Sequence, residues 1–347
     1  MFSSTDDTLT SLEEVGYFTT REIANTIYLA GELNRPILLE GPAGAGKTEM
    51  ALAIYRATGM KLIRLQCYEG LTDKQAIGSF SDELRQLYVR FHDGTFDEAA
   101  KKVSDRAFYL GGPLLSALET PARCILLVDE IDKISHAFEA QLLEFLGEWQ
   151  LTIPGLGEIK AIHPPFTIVT ANDERQLGYP LLRRCARIYI NHPTPEQEAA
   201  IVASRTPHCA KAIHYFIAGF AKTLRAFKME KPPSISEMIT LALALDKLNL
   251  KEIRDDHKAV MLPFIAKTEK DRASLLVPGR FESFMDNARI FANEMCQHDI
   301  QTAAAQTVTQ RLRNDNNQMG PAETGIPILP DGTTQLPPMV ALEAVTP

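Results

Sequence analysis

The segment from Gly41 to Thr48, with the sequence GPAGAGKT, fits the phosphate-binding P-loop pattern G-x-x-x-x-G-K-[ST]. Its glycines allow consecutive backbone N–H groups to point inward at phosphate oxygens. We expect Lys47 to reach the β- and γ-phosphates of a nucleoside triphosphate and the Thr48 hydroxyl to bind Mg²⁺. The alternative is a glycine-rich turn that binds nothing. The predicted nucleotide-binding residues of this loop are Gly41, Pro42, Ala43, Gly44, Ala45, Gly46, Lys47 and Thr48.

Two adjacent carboxylates follow an apolar run in the sequence Leu126-Leu-Val-Asp-Glu130. Hydrolysis of a bound triphosphate needs one carboxylate to orient the Mg²⁺ shell and another to handle the attacking water. We expect Asp129 to hold Mg²⁺ through a water and Glu130 to polarise the lytic water. The alternative is a solvated acidic pair. Asp132 either positions these residues without contacting the ligand itself or caps the next helix.

A third candidate for catalysis is Asn172, in the sequence Thr170-Ala-Asn-Asp173 at the end of another apolar run. If this strand lies between the strands that precede the P-loop and Glu130, its polar end can hold the water or the γ-phosphate. In any other arrangement, an isolated asparagine here is a turn residue.

Two neighbouring arginines, Arg183 and Arg184, occur in the sequence Leu181-Leu-Arg-Arg-Cys185. A guanidinium stabilises the charge that spreads over a transferred phosphoryl group. Near a subunit edge, either arginine can serve the site of a neighbouring copy. The alternative is a pair that is solvated or that contacts nucleic acid.

These candidate residues lie next to short apolar runs that are typical of buried strands. Helical patterns separate the runs, for example Glu49–Arg56 directly after the P-loop. This alternation predicts an α/β fold with a parallel, doubly wound sheet flanked by helices. Two shorter alternating runs around Pro154-Gly-Leu-Gly157 predict a hairpin over residues 150–162. The predicted strands of the main sheet are 36–40, 61–66, 124–128, 166–170 and 186–190.

The pattern changes after Pro193-Thr-Pro195, where strand-like runs give way to helical ones. We therefore predict a nucleotide-binding core over residues 1–193, an all-helical lid domain over 194–300 and a tail over 301–347. The tail has no aromatic residue and is rich in Pro and Gly from residue 320 onward. We expect it to be partly disordered or to dock on a neighbour through its apolar islands.

Composition and charge narrow the class of protein. Of the 347 residues, 45% are hydrophobic and 23% charged, as in ordinary soluble domains. The net charge of −8 argues against extensive non-specific binding to nucleic acid. We expect no membrane span, because no apolar run reaches about 18 residues. The five cysteines are scattered, which indicates reduced thiols and a cytoplasmic protein.

In chain order, the motifs GPAGAGKT, LLVDEID, IVTAN and LLRRC resemble those of the AAA+ ATPases, and within them the MoxR family. The resemblance covers about residues 15–290 and extends to the hairpin LTIPGLGEI. The chain is similar in particular to the subgroup of ATPases that help to mature carbon monoxide dehydrogenase. By this resemblance, Lys47 and Thr48 are Walker A residues, Asp129 and Glu130 the Walker B pair, and Asn172 sensor 1.

The resemblance also implies an assembly and a task. It implies a Mg²⁺-dependent ATP hydrolase that forms a ring, most often a hexamer, with each site at a subunit boundary. Arg184 matches the arginine-finger position, with Arg183 as the alternative, whereas Ser236 stands where many relatives carry a sensor 2 arginine. The implied task is to remodel or activate a client protein, such as a metalloenzyme, together with a von Willebrand A domain partner. The alternatives are a nucleic-acid ring motor and a nucleotide-driven structural polymer.

Overall fold

The strands of the protein are short and lie mostly where the apolar runs predict them. A computed structural model describes residues 1–250 and 252–318. Its strands are β1 (Ile37–Glu40), β2 (Leu62–Gln66), β3 (Gly78–Phe80), β4 (Tyr109–Gly111), β5 (Ile125–Asp129), β6 (Gln150–Ile153), β7 (Gly157–Lys160), β8 (Phe166–Thr170) and β9 (Ala186–Tyr189).

Five of these strands form a parallel sheet in the order β2-β5-β8-β1-β9. Strand β8 lies between β5 and β1, with Val169 paired to Val128 on one side and to Leu38 on the other. This order places the end of β8 between the P-loop and the Asp129–Glu130 pair. The α/β fold with a parallel sheet flanked by helices is therefore confirmed.

The helices flank this sheet and then continue alone after β9. In the described residues they are α1 (Thr5–Glu14), α2 (Arg21–Glu32), α3 (Lys47–Thr58), α4 (Asp73–Ala76), α5 (Asp82–Phe91), α6 (Phe96–Lys102), α7 (Pro113–Glu119), α8 (His136–Glu148), α9 (Tyr179–Arg184), α10 (Pro195–Arg205), α11 (Lys211–Ala226), α12 (Ile235–Lys247), α13 (Lys258–Ile265), α14 (Glu269–Leu275) and α15 (Arg280–Gln318).

Apolar side chains cover both faces of the main sheet. Because successive side chains of a strand point to opposite faces, neighbouring residues of β5 belong to different clusters. Leu127 lies in the cluster that contains Met50 of α3, and Leu126 lies in the cluster that contains Phe145 of α8. This burial fixes the position of β5, and with it the acidic residues at its end.

Two small antiparallel sheets lie outside the main sheet. The predicted hairpin is present as β6 and β7, with Ile153 paired to Gly157. The sequence did not predict the second ribbon, in which β3 pairs with β4. Helices α5 and α6 lie between these two strands in the chain, so this segment is an excursion closed at its base by the ribbon.

The chain divides after Met295 into two units, the first Met1–Met295 and the second beginning at Cys296. After β9, the described residues contain helices and no further strand. The predicted tail begins at residue 301, but the chain is helical up to Gln318, and the remaining residues 319–347 lie outside the described part. The predicted boundaries at 193 and 300 stay predictions. Among the described helices, none is long and apolar enough to cross a membrane.

Candidate active site

The P-loop connects β1 to α3 and has a backbone that requires glycine. Gly41 has φ 140°, and a Cβ at this position would lie 2.1 Å from the carbonyl oxygen of Ile190. Gly46, with φ 99°, precedes the first residue of α3, Lys47. The free N–H groups of a helix N-terminus attract phosphate oxygens. The loop therefore has the backbone geometry that a phosphate-binding loop needs.

The Lys47 side chain is folded back onto this loop. Lys47 is 5% exposed, and its Nζ donates to the carbonyl oxygens of Gly41 at 2.7 Å and Pro42 at 2.8 Å. Burial lowers the pKa of the Lys47 ammonium, and the nearby carboxylates of Asp132 and Asp173 partly oppose that shift. The ammonium is thus held beside the loop by carbonyl groups that a phosphate can replace.

Asp129 accepts hydrogen bonds from three elements. Asp129 is 1% exposed. Its Oδ1 accepts from the hydroxyl of Thr170 at 2.6 Å and from the hydroxyl of Thr48 at 3.0 Å. Its Oδ2 is 2.5 Å from the Arg64 guanidinium. The backbone N–H of Glu130 donates to the same Thr170 hydroxyl at 2.8 Å. Hydroxyl and carboxylate oxygens are the ligands that Mg²⁺ prefers, so the pair of Thr48 and Asp129 fits this ion.

Glu130 lies at the end of β5 in a left-handed backbone conformation, with φ 60° and ψ 51°. A non-glycine residue in this region is uncommon and typical of functional sites. Its Oε2 accepts from Lys133 at 2.6 Å and from Gln66 at 3.2 Å. The carboxylate therefore lies next to the cavity but is held by two side chains. When it is released, it has the reach and charge to polarise a water.

Asp132 supports the loop that carries Asn172. Its Oδ2 accepts from the backbone N–H groups of Asn172 at 2.8 Å and Glu174 at 3.1 Å, while α8 is capped by Ser135 instead. Of the two predicted roles for Asp132, the structure shows the supporting one. Asn172 lines the same cavity as Lys47.

The P-loop borders a cavity of about 830 Å³. Residues 16–20 form a second wall, and helices α10 and α12 supply a third, which includes Ser236. A Cβ on Gly44 would lie 2.5 Å from the Cβ of Ser234, the N-cap of α12, so the loop and α12 are in close contact. Of the predicted site residues, Ala43, Gly44, Ala45, Gly46, Lys47, Thr48, Glu130 and Asn172 line this cavity, while Gly41, Pro42 and Asp129 are not part of its lining.

An ion bridge beside the cavity joins α3 to α10. Glu49 Oε1 is 2.6 Å from the guanidinium of Arg56 and 2.7 Å from that of Arg205. These side chains are between 34% and 40% exposed, so each pair contributes less than about 1 kcal/mol to stability. The bridge is weak enough to break when a ligand enters.

The two predicted finger arginines lie elsewhere. Arg183 is exposed and stacks on Tyr179, 4.4 Å from the ring centre, and Arg184 donates to the Pro180 carbonyl oxygen at 3.1 Å. Within the described chain, the cavity lining contains neither arginine. The structure therefore does not bring them to the site of their own chain.

Comparison with known proteins places the core in a family. Residues 37–192 match the family described as ATPase family associated with various cellular activities (AAA). Residues 37–192 are an AAA ATPase domain. This AAA domain contains the P-loop, the acidic pair and Asn172.

The relatives of the whole chain are distant. Two gas vesicle ATPases of Halobacterium salinarum are similar: GvpN2, 27% identical over 182 residues (49% of this chain, 51% of the relative), and GvpN1, 25% identical over 209 residues (57% of each). The chain thus spans little more than half the length of these relatives. An uncharacterised protein of Staphylococcus epidermidis is 24% identical over 249 residues, 70% of this chain and 87% of its own. The Thermotoga maritima RuvB Holliday junction branch migration motor aligns at TM-score 0.44 and 16% identity, covering 78% of this chain and 76% of its own.

Three residues of the AAA domain site were missed by sequence reasoning: Thr170, Arg64 and Gln66. Thr170 was read only as part of a strand, although it donates to Asp129 and accepts from the Glu130 amide. Arg64 and Gln66 alternate with buried apolar residues along β2, which is the signal of a polar strand face. Their contact with the acidic pair follows from the pairing of β2 with β5, which no local pattern reveals.

Proposed function

We propose that this chain is a MoxR-type AAA+ ATPase that couples ATP binding and hydrolysis to the remodelling or activation of a client protein. One observation carries the ATPase part of the proposal. Lys47, Thr48 and the Asp129–Glu130 pair come together at one edge of three adjacent strands, next to a cavity bounded by lid helices. That arrangement supplies a phosphate cradle and a carboxylate for water in the same place.

Each residue of the site has a distinct role in this proposal. The P-loop amides and Lys47 bind the phosphates. Once the ion pair between Glu130 and Lys133 is broken, the Glu130 carboxylate orients and deprotonates the attacking water. Asn172 positions that water or the γ-phosphate. Thr48 and, through a water, Asp129 would hold Mg²⁺, which would neutralise charge on the phosphate oxygens.

The proposed assembly is a ring, most simply a hexamer. Arg183 is exposed and Arg184 is half-buried, and both lie outside the cavity of their own chain, which supports a role of Arg184, or else Arg183, in the site of a neighbour. The contact between Gly44 and Ser234 supports a lid that senses the state of the P-loop. With Ser236 in the sensor 2 position, the lid has no arginine there to read the γ-phosphate.

The client is the least constrained part of the proposal. The resemblance of the motifs to those of ATPases of carbon monoxide dehydrogenase maturation favours a metalloenzyme client, reached through a von Willebrand A domain partner in the cytoplasm. The similarity to the gas vesicle ATPases of Halobacterium salinarum favours a second candidate, a client that belongs to a gas vesicle. Neighbouring genes that encode metalloenzyme subunits or gas vesicle proteins distinguish the two.

The test measures hydrolysis and assembly on the purified full chain. We expect Mg²⁺-dependent release of phosphate from ATP and larger particles in sedimentation with ATP than without nucleotide. Lys47→Ala removes the cation aimed at the terminal phosphates, so ATP affinity falls by more than about tenfold, or 1.4 kcal/mol. Exposed Lys74→Ala is the matched control and keeps wild-type affinity. An ATP affinity of Lys47→Ala within about threefold of wild type contradicts the site assignment.

A further inference from the structure

The carboxylate of Asp129 already has a cation next to it, and that cation belongs to the chain. The Arg64 guanidinium is 2.5 Å from Asp129 Oδ2, and Asp129 is almost completely buried. The Arg64 side chain, in contrast, is 50% exposed. A buried carboxylate is costly without a partner, so Arg64 meets this need as long as no metal is bound.

The hydrogen-bonding capacity of Asp129 leaves little room beside Arg64. An ionised carboxylate has about four lone-pair positions. Thr48 and Thr170 use the two positions on Oδ1, and Arg64 uses one on Oδ2. One position on Oδ2 is left, so a water of a Mg²⁺ ion held by Thr48 would have to share Oδ2 with the Arg64 guanidinium. A guanidinium also keeps its charge at any working pH and repels a nearby divalent cation.

Arg64 can move toward solvent from its half-exposed position, and it has a second partner. It projects from β2 on the same face as Gln66, and its guanidinium donates to Gln66 Oε1 at 2.7 Å. Gln66 Nε2 in turn donates to Glu130 Oε2 at 3.2 Å. A continuous series of side-chain hydrogen bonds therefore joins both carboxylates of the acidic pair, and a movement of Arg64 changes the restraint on Glu130.

We propose that Arg64 is the resident counter-cation of Asp129 before the metal binds, and that it leaves Asp129 when Mg²⁺ and nucleotide enter. Arg64 thereby sets the Mg²⁺ concentration at which the site fills. Its departure draws on Gln66 and loosens the hold of Gln66 on Glu130, which then keeps only its contact with Lys133. This inference rests on the proposed ATPase function and adds a positioning residue to it.

The test is the Mg²⁺ dependence of nucleotide binding, measured without turnover. A fluorescent ADP analogue is mixed with the full-length protein, and Mg²⁺ is titrated. Arg64→Gln and Arg64→Met both remove the charge, and Met also keeps an apolar stem in case Gln prevents folding. We expect the half-saturating Mg²⁺ concentration to fall by about tenfold in either variant. Arg64→Lys keeps the charge and stays within about threefold of wild type.

A second measurement uses Mg²⁺ alone. Asp129 loses its partner in Arg64→Gln, so that variant melts at a lower temperature than wild type in the presence of a chelator. Mg²⁺ without nucleotide then raises its melting temperature more than that of wild type, because the ion replaces the missing cation. Arg21→Gln, which breaks an exposed pair with Asp6, is the control and changes neither measurement.

A half-saturating Mg²⁺ concentration that is equal or higher in Arg64→Gln and Arg64→Met overturns the proposal, since Arg64 then holds Asp129 in place for the metal. The ATPase assignment survives that result, because wild type still binds the analogue with Mg²⁺. Absence of nucleotide binding by wild type at any Mg²⁺ concentration overturns the proposed function and the role of Arg64 with it.

Discussion

The ammonium of Lys133 lies 2.6 Å from Oε2 of Glu130, within the turn that follows β5. This contact occupies the carboxylate that our account assigns to the attacking water, so it must break before hydrolysis. The two side chains are 35% and 33% exposed, which limits the pair to about 1 kcal/mol. The pair is thus a restraint that can be overcome at each turnover.

Replacing Lys133 should therefore speed hydrolysis. We expect Lys133→Met to raise basal ATP turnover by up to about fivefold, the equivalent of about 1 kcal/mol, with unchanged ATP affinity. Steady-state phosphate release and equilibrium nucleotide binding measure the two quantities. Lys160→Met, which breaks an exposed pair with Glu158, serves as the control. A slower Lys133→Met enzyme shows instead that Lys133 assists catalysis.

The half-buried His192 predicts how stability depends on pH. Burial lowers its pKa from 6.5, and Arg225 and Lys47 add to the shift. The unfolded chain takes up a proton near pH 6.5 and the folded chain only at a lower pH, so the free energy of unfolding falls as the pH drops through 6.5. His192→Gln should lose less stability than wild type between about pH 7.5 and 5.5, measured by urea unfolding without nucleotide.

Exposed His208→Gln is the control for that experiment and should follow the wild-type pH curve. If His192→Gln loses as much stability as wild type over the same pH range, His192 is not the group responsible.

A buried ion pair joins helices α10 and α11. Arg225 of α11 donates to both oxygens of Glu198 of α10, at 2.6 and 2.8 Å, and Glu198 is 1% exposed. Removing one partner leaves a buried charge unpaired, so Glu198→Ala should lower the free energy of unfolding by about 3–5 kcal/mol. The double variant Glu198→Ala, Arg225→Met should lose less than the sum of the two single losses, as measured by urea unfolding. Strict additivity rules out the coupling.

The role of α9 across a subunit boundary can be tested by mixing. Arg184→Ala should bind ATP but hydrolyse it slowly, and so should Glu130→Gln. Mixed rings should regain activity, because some boundaries then combine an intact arginine with an intact Glu130. Arg183→Ala in the same experiment identifies which arginine acts. No gain at any ratio, with mixed assemblies verified by sedimentation, contradicts a finger supplied by the neighbour.

Much of the fold followed from local patterns, because the main strands are apolar throughout and buried on both faces. The start of α2 is also set locally, because the Thr20 hydroxyl accepts a hydrogen bond from the backbone N–H of Ile23. Strands β3 and β4 were missed because each has three residues and glycine at one end. Such short segments give no periodic signal, and only their pairing defines them.

The residues of the candidate site also fall into those that local motifs predict and those that only the folded structure identifies. Lys47, Thr48, Asp129 and Glu130 belong to contiguous motifs whose chemistry is local, so the sequence sufficed to propose them. Arg64 and Thr170 act on Asp129 from other strands, and their role depends on the strand order. Lys133 reaches Glu130 because the backbone turns sharply at a left-handed residue, a conformation that the sequence does not indicate.

Glu130→Gln gives the most direct test of the account as a whole. The substitution keeps the size of the side chain and leaves the P-loop and Asp129 intact, but it removes the carboxylate that accepts a proton from water. Equilibrium ATP binding and single-turnover hydrolysis should be measured on the same preparation. We predict ATP affinity within about threefold of wild type and a hydrolysis rate lower by at least about 100-fold. A rate close to wild type, or a parallel loss of binding and hydrolysis, would contradict the assignment of Glu130 as the catalytic carboxylate of this AAA domain.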